Sequence, residues 1–530
     1  METVWVCRLQ FYIFFFLLAS SSISVGGSNI LFFHGVSTAS HRTAIWPLAE
    51  KLADAGHNVT YIFPVTKRLG SHPRIEEFAP SKMVPLIGDF VSDFDINIRL
   101  NDQEMEWMRQ AYSQSVVFCE AFYDSPEIQE WLARPDLHYD LVMLDALGEC
   151  GYGLVHKFKA KHILFVPLLA PFLHDGFGLM PETSSIPELS LHYKPTELTF
   201  FNRVSNTLMI LFWRYSYLDF IRNVEPVIKD KLNLTEFPPI AEFEKNTSLV
   251  LINNHWVEDY PISLPPMFVS FSGLGCKKEP VANPLPEKVS KFLEDADGFI
   301  YISFGSAVVA SAMPISLRDE FFAALKSLPK LRFLWRWTGR VPDNTPENVL
   351  LLPWFPQHDI LAHPKIKGFV TQAGRPSTQE ALCYAVPLIA IPMFADQDYN
   401  ADRMEYIGGA IRLDIKNISS ALLQESIHEL AYNPKHKERM VELSNMFKDR
   451  PIDPLDNAFY WTEYVLRYDT SLLKPLGINQ TWYQRRLLDV YLFLFVVAGT
   501  VAGTVMFFTV MIFKYAFALV FSKQQKTKAE

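Results

Sequence analysis

Residues Asn29 to Phe63, NILFFHGVSTASHRTAIWPLAEKLADAGHNVTYIF, are the stretch on which the fold class turns. Asn29 to Phe33 is a short apolar run of strand type. A loop with Gly35, Ser37, Ser40 and His41 follows. Thr43 to Ala55 places Ile45, Leu48, Ala49 and Leu52 on one face at helical spacing, and Gly56 stops the helix. Val59 to Phe63 is the next strand. Strand, helix and strand in such close order make a βαβ unit, whose right-handed crossover leaves the two strands parallel.

The same alternation continues outward. Tyr139 to Leu144 reads as a buried strand ending at Asp145, and Ile163 to Pro167 as another. In the second half, Gly298 to Phe304 runs into Gly305-Ser306 and is followed by a helix from Leu317 to Leu328. Arg332 to Trp337, Val349 to Leu352, Gly368 to Thr371 and Pro387 to Ile391 supply strands, with a helix from Ser377 to Tyr384. The domain break falls in the Pro- and Gly-bearing stretch Asn254 to Gly275, giving domains of 28–254 and 255–450. The expectation is an α/β chain of two doubly wound, Rossmann-like domains facing a cleft. Ligands of such folds bind outside the carboxyl ends of the strands.

Composition agrees with a folded chain: 49% of residues are apolar and 20% charged, and 530 residues are enough for two domains and further segments. A net charge of -9 argues against a nucleic-acid surface. Five cysteines without a Cys-x-x-Cys pair are too few for a disulfide scaffold and give no support to a metal site. Residues 1–26 read as a signal peptide, with Phe11 to Ala19 as its apolar region. Val490 to Phe513 carries no charge and is long enough to cross about 30 Å of hydrocarbon as a transmembrane helix. Asp489 precedes it, whereas Lys514, Lys523, Lys526 and Lys528 follow. The positive-inside bias puts the tail 514–530 in the cytosol and the large domains in the lumen. Lys526 and Lys528 resemble a dilysine retrieval signal, which suggests a single-pass type I protein of the endoplasmic reticulum membrane. Luminal exposure gives meaning to the glycosylation triplets at Asn58, Asn233, Asn246, Asn417 and Asn479. Asn58 opens an expected buried strand and is the weakest of them. Gly499 and Gly503 form a Gly-x-x-x-Gly step, so a homo-oligomer stays open.

Trp354 to Asn400 carries the most specific pattern. It reads Trp354-Phe355-Pro356-Gln357-His358-Asp359, then Thr371-Gln372-Ala373-Gly374, Ser377-Thr378-Gln379-Glu380, and Phe394-Ala395-Asp396-Gln397. This resembles the signature of the UDP-glycosyltransferases that act on small lipophiles, most closely in its invertebrate members. The resemblance implies a GT-B type fold and a UDP-sugar co-substrate, with UDP-glucose favoured and no metal required. It further implies that Trp354 stacks on uracil, Gln357 bonds the base or ribose, and Glu380 accepts from ribose hydroxyls. By the same resemblance Ser306, at the end of its strand, would contact the diphosphate together with Gln372, Gly374 and Ser377, where the helix from about Gly374 offers an amino end suited to anions. Asp396 and Gln397 would hold the sugar hydroxyls.

Ser37 to His41 matches the family's Ser-x-x-Ser-His loop, which makes His41 the general base and Asp145 the residue that orients its ring. The implied reaction is a direct, inverting displacement of UDP by a hydroxyl of a small lipophilic acceptor. His57 is the competing histidine, at the opposite end of the βαβ unit. The phosphate loop departs from the usual His-Gly-Gly, reading Gln372-Ala373-Gly374 before Arg375-Pro376. Gln offers a neutral hydrogen bond where imidazolium would offer charge. Arg375 is a candidate to restore that charge. Leu168 to Phe220 is aromatic and apolar without a clean period, reading equally as an acceptor pocket, a membrane contact or helix packing. The alternative function is a pseudo-enzyme or lipophile-binding membrane protein, whose expected sign is loss of His41 or Asp145. A polysaccharide-synthesising transferase would need several membrane helices.

Overall fold

The computed structural model describes residues 27–37, 39–65, 72–92, 96–167, 173, 176–189, 191, 198–276, 283–306 and 308–527. The expected signal segment 1–26, Thr38 and Lys528 lie outside them. The chain forms two compact units, Met1–Leu173 with Glu182–Lys474, and His174–Pro181 with Pro475–Glu530.

The larger unit holds two parallel sheets flanked by helices. The first comprises β1 (Asn29–Phe33), β2 (Asn58–Ile62), β3 (Ile75–Phe78), β4 (Leu141–Asp145), β5 (Lys161–Val166), β6 (Leu249–Ile252) and β7 (Phe268–Ser270). Their order is β3-β2-β1-β4-β5-β6-β7. The second comprises β8 (Gly298–Ser303), β9 (Leu331–Arg336), β10 (Val349–Leu352), β11 (Ile366–Thr371), β12 (Leu388–Ala390) and β13 (Ala410–Arg412), in the order β10-β9-β8-β11-β12-β13. Helices cover both faces of a parallel sheet, so its central strands are apolar on both sides. All five residues of β4 and all six of β8 are buried. The strand order reverses between β1 and β4 and between β8 and β11, and at such switch points the outgoing loops part and leave a crevice.

Several boundaries differ from the sequence expectation. The first helix runs from Ala39 to Asp54, so His41 sits in its first turn instead of a loop. The stretch expected to hold the domain break contains β7, which pairs with β6, so the first sheet extends through Ser270. A three-residue strand is too short to carry a period. Asn58 opens β2, but its side chain is exposed and donates to Asn29 Oδ1 at 3.0 Å. The burial expected there starts one residue later. The other four glycosylation candidates are exposed as well. The cysteines, too few for a disulfide scaffold and without a Cys-x-x-Cys pair, form two isolated disulfides, Cys119–Cys150 and Cys276–Cys383. Neither pairing is encoded locally, since the partners are 31 and 107 residues apart.

Late chain packs back on the first sheet. Ala458 and Val465 of the Pro454–Arg467 helix join the core formed by Leu48, Leu52 and Phe165, and Lys161 Nζ donates to Val465 O at 2.6 Å. An early segment crosses the other way. Ile96, in the short helix Ile96–Leu100, is fully buried in the same core as Ile302, Phe304 and Leu413 of the second sheet's side. Beside it, Arg99 makes a bidentate pair with Asp398 at 3.0 and 3.1 Å, and Arg412 bonds the same carboxylate at 2.7 Å.

In the smaller unit, Leu488–Thr527 is one helix, of which Leu488–Leu519 is long and apolar enough to cross a membrane, with a mean hydropathy of 2.2. The expected span 490–513 lies within it.

Removing one member of a buried ion pair strands the other, at a cost of about 3–5 kcal/mol. Asp398→Ala takes the shared carboxylate from two guanidinium groups, leaving Arg99 with Glu104 at 3.1 Å and Arg412 with Asp402 at 2.8 Å. It is expected to lower stability by up to about that amount, measured by denaturant unfolding of the detergent-solubilised protein.

Candidate active site

A cavity of about 610 Å³ lies where the two sheets' switch points meet, lined by residues from both halves of the larger unit. The first half supplies His41 and, beneath it, Asp145. Phe33 pairs with Leu144 in adjoining strands, so the residues that follow, His34 and Asp145, come side by side. Gly35 permits the two outgoing loops to touch, since a Cβ there would lie 2.3 Å from Leu147 O.

Asp145 has no exposed side-chain surface and accepts three hydrogen bonds. His41 Nδ1 donates to its Oδ2 at 2.6 Å, His34 Nδ1 approaches the same oxygen at 3.3 Å, and Leu147 N–H donates to Oδ1 at 3.1 Å. Burial alone would raise its pKa, but the two imidazoles pull it well below the usual carboxylate range. For His41, burial disfavours the charged ring, and the charge and hydrogen bond of Asp145, with Asp396 adding to them, outweigh it. Its pKa is therefore raised above 6.5. His34 is fully buried, and there burial wins and lowers the pKa. Tyr61 O–H, 2.7 Å away, donates to its Nε2, which leaves Nδ1 as the proton-bearing nitrogen. With Nδ1 of His41 committed to Asp145, Nε2 is that ring's remaining base. Sequence reading missed His34, although its place at the end of β1 is the same signal that marks Asp145 at the end of β4. His57 is used elsewhere: Nδ1 accepts from Ser28 N–H at 3.0 Å and Nε2 meets Glu463 at 2.6 Å.

The second half brings together Ser306, Trp354, Gln357, Gln372, Gly374, Ser377, Glu380, Asp396 and Gln397, all on the cavity wall. Trp354 is 66% exposed, a face left open rather than packed in the core. Gln357 Nε2 donates to Glu380 Oε2 at 2.7 Å. Gln397 Oε1 accepts from Met393 N–H at 2.9 Å and Phe394 N–H at 3.3 Å, pinning the turn that carries Asp396. Asn400 Nδ2 donates to Asp396 Oδ2 at 2.7 Å.

The phosphate loop has an unusual build. Ala373 adopts φ +64°, a left-handed conformation that glycine takes without penalty. Gly305, at φ +74°, lies so close to Gln372 that a Cβ would fall 2.1 Å from Nε2. Thr371 Oγ1 donates to Gln372 Oε1 at 2.9 Å, leaving the amide nitrogen beside Gly305 and Gly374. Pro376 occupies the first turn of the Arg375–Cys383 helix and removes one donor there. Arg375 does not simply replace the missing cation. It is 3% exposed, pairs with Asp259 at 3.3 Å and donates to Glu258 O at 3.3 Å, so carboxylates of the 253–272 segment already balance its charge. Arg336 of β9 also lines the cavity and bonds Gly305 O.

From the apolar stretch Leu168 to Phe220, the residues Leu173, Leu189, Trp213, Tyr217 and Phe220 reach the cavity. Phe200, Phe201, Leu208, Leu211 and Phe212 are exposed along the Phe200–Lys231 helix instead. Phe90 and Trp107 complete the wall and had no sequence signal beyond being aromatic. Among the described residues, no three His, Cys, Asp or Glu side chains are grouped to hold a metal ion.

A family model described as "UDP-glucoronosyl and UDP-glucosyl transferase" matches residues 39–527. The chain belongs to this family. It is accordingly a UDP-sugar-dependent glycosyltransferase. Among similar proteins, "UDP-glycosyltransferase UGT5" of Dactylopius coccus is 33% identical over 97% of this chain and 98% of its own. "UDP-glucosyltransferase 2" of the same organism is 32% identical over 92% and 93%. "UDP-glucuronosyltransferase 1A9" of Homo sapiens is 31% identical over 72% and 71%. In fold, the chain resembles Medicago truncatula UGT71G1 complexed with UDP-glucose, with TM-score 0.55 and 15% identity, covering 83% of this chain and 98% of that one.

A non-glycine residue in the left-handed region carries about 1–2 kcal/mol of strain, and glycine's extra freedom when unfolded returns about 0.4–1 kcal/mol. Ala373→Gly in this transferase is expected to raise stability by up to about 1 kcal/mol, read as a higher midpoint in denaturant unfolding.

Proposed function

We propose that this transferase moves a sugar, glucose in our reading, from its UDP carrier to a hydroxyl of a small lipophilic acceptor, with inversion at the anomeric carbon. The observation that carries this is the 2.6 Å bond from His41 to Asp145 on the wall of a cavity whose other wall holds the nucleotide motif. The acceptor hydroxyl gives its proton to His41 Nε2 while its oxygen bonds to the anomeric carbon. The bond from that carbon to the diphosphate oxygen breaks, and its electron pair leaves with UDP. Asp145 fixes the tautomer and stabilises the imidazolium.

On the donor side, Trp354 stacks on uracil, Gln357 and Glu380 hold base and ribose, and Ser306, Gln372, Gly374 and Ser377 meet the diphosphate. Asp396 and Gln397 hold the sugar. Glucose is supported by the name of the second Dactylopius coccus relative. The helix Leu488–Leu519 supports a single-pass anchor, with the two sheets in the lumen of the endoplasmic reticulum and Lys514 and the tail in the cytosol. Exposure of Asn58, Asn233, Asn246, Asn417 and Asn479 supports glycosylation there.

The test is UDP release from UDP-glucose with a panel of phenols in membranes. No release by the natural chain, together with release after Gln372→His, would overturn an active enzyme in favour of a binding protein. His41→Ala is expected to lower kcat by about 10²–10⁴-fold, the usual worth of a general base; undiminished turnover would sink the mechanism. His41 must be neutral to take a proton. Since its pKa is raised, kcat/KM should climb with pH and level off only above 6.5. Asp145→Asn removes that pull, so the climb should move to lower pH even as the rate falls.

A further inference from the structure

Just beyond Asp145 the chain turns through the short 3-10 helix Glu149–Gly151. Glu149 is 5% exposed, yet it lines the same cavity as His41, on the wall that also presents Ser115, Leu147, Trp213, Tyr217 and Phe220. The proposed reaction gives it no task. The charged groups that act on it are Asp145 of β4 and Glu244 of the Ile240–Asn246 helix, both acidic. Arg214 faces Glu244 at 3.7 Å, and Tyr217 O–H donates to Glu244 Oε1 at 2.7 Å. Tyr152 and Tyr217, on the flanking helices, are held in the neutral phenol form by burial. Burial outweighs the hydrogen bond from Glu149's own backbone N–H and, with Asp145 and Glu244 adding to it, pushes the carboxyl up to about 8, so it keeps its proton at neutral pH. A protonated carboxyl offers one O–H donor and further acceptor capacity to whatever fills the cavity.

We propose that Glu149 is a specificity-determining residue for the acceptor, donating its carboxyl O–H to a carbonyl or ether oxygen that the lipophilic molecule carries apart from the hydroxyl receiving the sugar. The inference rests on the reading of this cavity as an acceptor pocket. An acceptor without such an oxygen expels water from Glu149 and leaves its donor facing hydrocarbon. Sites that hydrogen-bond one substrate reject the analogue lacking the partner for this reason. The same chemistry disfavours carboxylate-bearing acceptors, because Asp145 and Glu244 already set a negative potential around Glu149.

The test compares para-acetylbenzyl alcohol with para-ethylbenzyl alcohol, similar in shape and free of an ionising hydroxyl. Binding to the full chain in the presence of UDP is measured by calorimetry, and UDP release is followed separately. The natural protein should bind the acetyl compound about tenfold more tightly at about pH 6.5, the usual worth of one net hydrogen bond. The ratio should fall toward one at about pH 9.5, because the donor proton is present below about 8 and lost above it. Glu149→Gln keeps an N–H donor and should retain the preference without its pH dependence. Glu149→Leu should abolish it at both pH values. Should the leucine variant fail to fold, the flat profile of the glutamine variant against the sloping one of the natural protein decides. A ratio near one in the natural protein at the lower pH, or an unchanged ratio in the leucine variant, overturns the proposal. So does tightest binding of the para-aminomethyl analogue, which would mark Glu149 as a carboxylate seeking a cation. Preference in binding without any UDP release would count against the transferase mechanism and leave the role of Glu149 standing.

Discussion

An ionised carboxylate with no solvent exposure governs the first half of this molecule. Burying such a charge costs several kcal/mol unless donors surround it. Asp145 meets that demand from three directions, through His41, His34 and the Leu147 amide. Each donor constrains something else. His34 requires β1 and β4 to be neighbours in one register, and its own second nitrogen accepts a hydrogen bond from Tyr61 O–H of β2. The Leu147 amide requires a tight turn after β4, which brings that loop against Gly35. His41 requires the helix to begin at Ala39, early enough to lay its ring over the carboxylate. One charge thus ties three strands and a helix to the proposed base.

In the proposed donor site the second half faces an opposite problem, holding a diphosphate with little net positive charge. The Arg375 guanidinium is buried and answered by Asp259 and Glu258. Burial, outweighing Arg375, pushes Glu258 up to about 7, and Ser272 and Gln379 bond it. Apart from Arg336, which is committed to Gly305 O, what remains for the phosphates in the proposed site is neutral: the Gln372 amide, the Ser306 and Ser377 hydroxyls and amides of the helix start. Neutral hydrogen bonds are about half as strong as charge-assisted ones. In this reading the uridine end, through Trp354, Gln357 and Glu380, carries a larger share of donor affinity than it would beside a histidine.

Much of the frame was legible because a βαβ unit announces itself: an apolar run, a helical face and a glycine, as in Asn29 to Phe63. The nucleotide motif was legible because its residues lie close together in sequence. Elements defined by distant partners were not. β7 and β13 are three residues each and gain their identity only from β6 and β12. Cys276 meets Cys383 through the fold, not through spacing. His34 follows β1 as Asp145 ends β4 and could have been found by that place, whereas nothing in the neighbours of Glu149 separates it from ordinary core. On the Phe200–Lys231 helix, Ile210, Trp213, Tyr217, Phe220 and Val224 do repeat with helical spacing. The exposed aromatics interleaved with them hid that period.

The early crossing segment joins the two halves of the chemistry. Ile96 is anchored in the second sheet's core, and Arg99 grips Asp398 in the first turn of the helix that Asp396 caps. From the same segment, Trp107 packs against Phe394 at 5.7 Å, just before the turn pinned by Gln397. Trp107 and Phe394 both line the cavity. A direct displacement needs acceptor oxygen, anomeric carbon and leaving oxygen in line, so small errors on either side are costly. In the proposed reaction a wall built from both halves makes the acceptor's seat and the sugar's seat parts of one surface. The alignment then depends on side chains packed and paired across the cleft, and less on independent motion of two sheets.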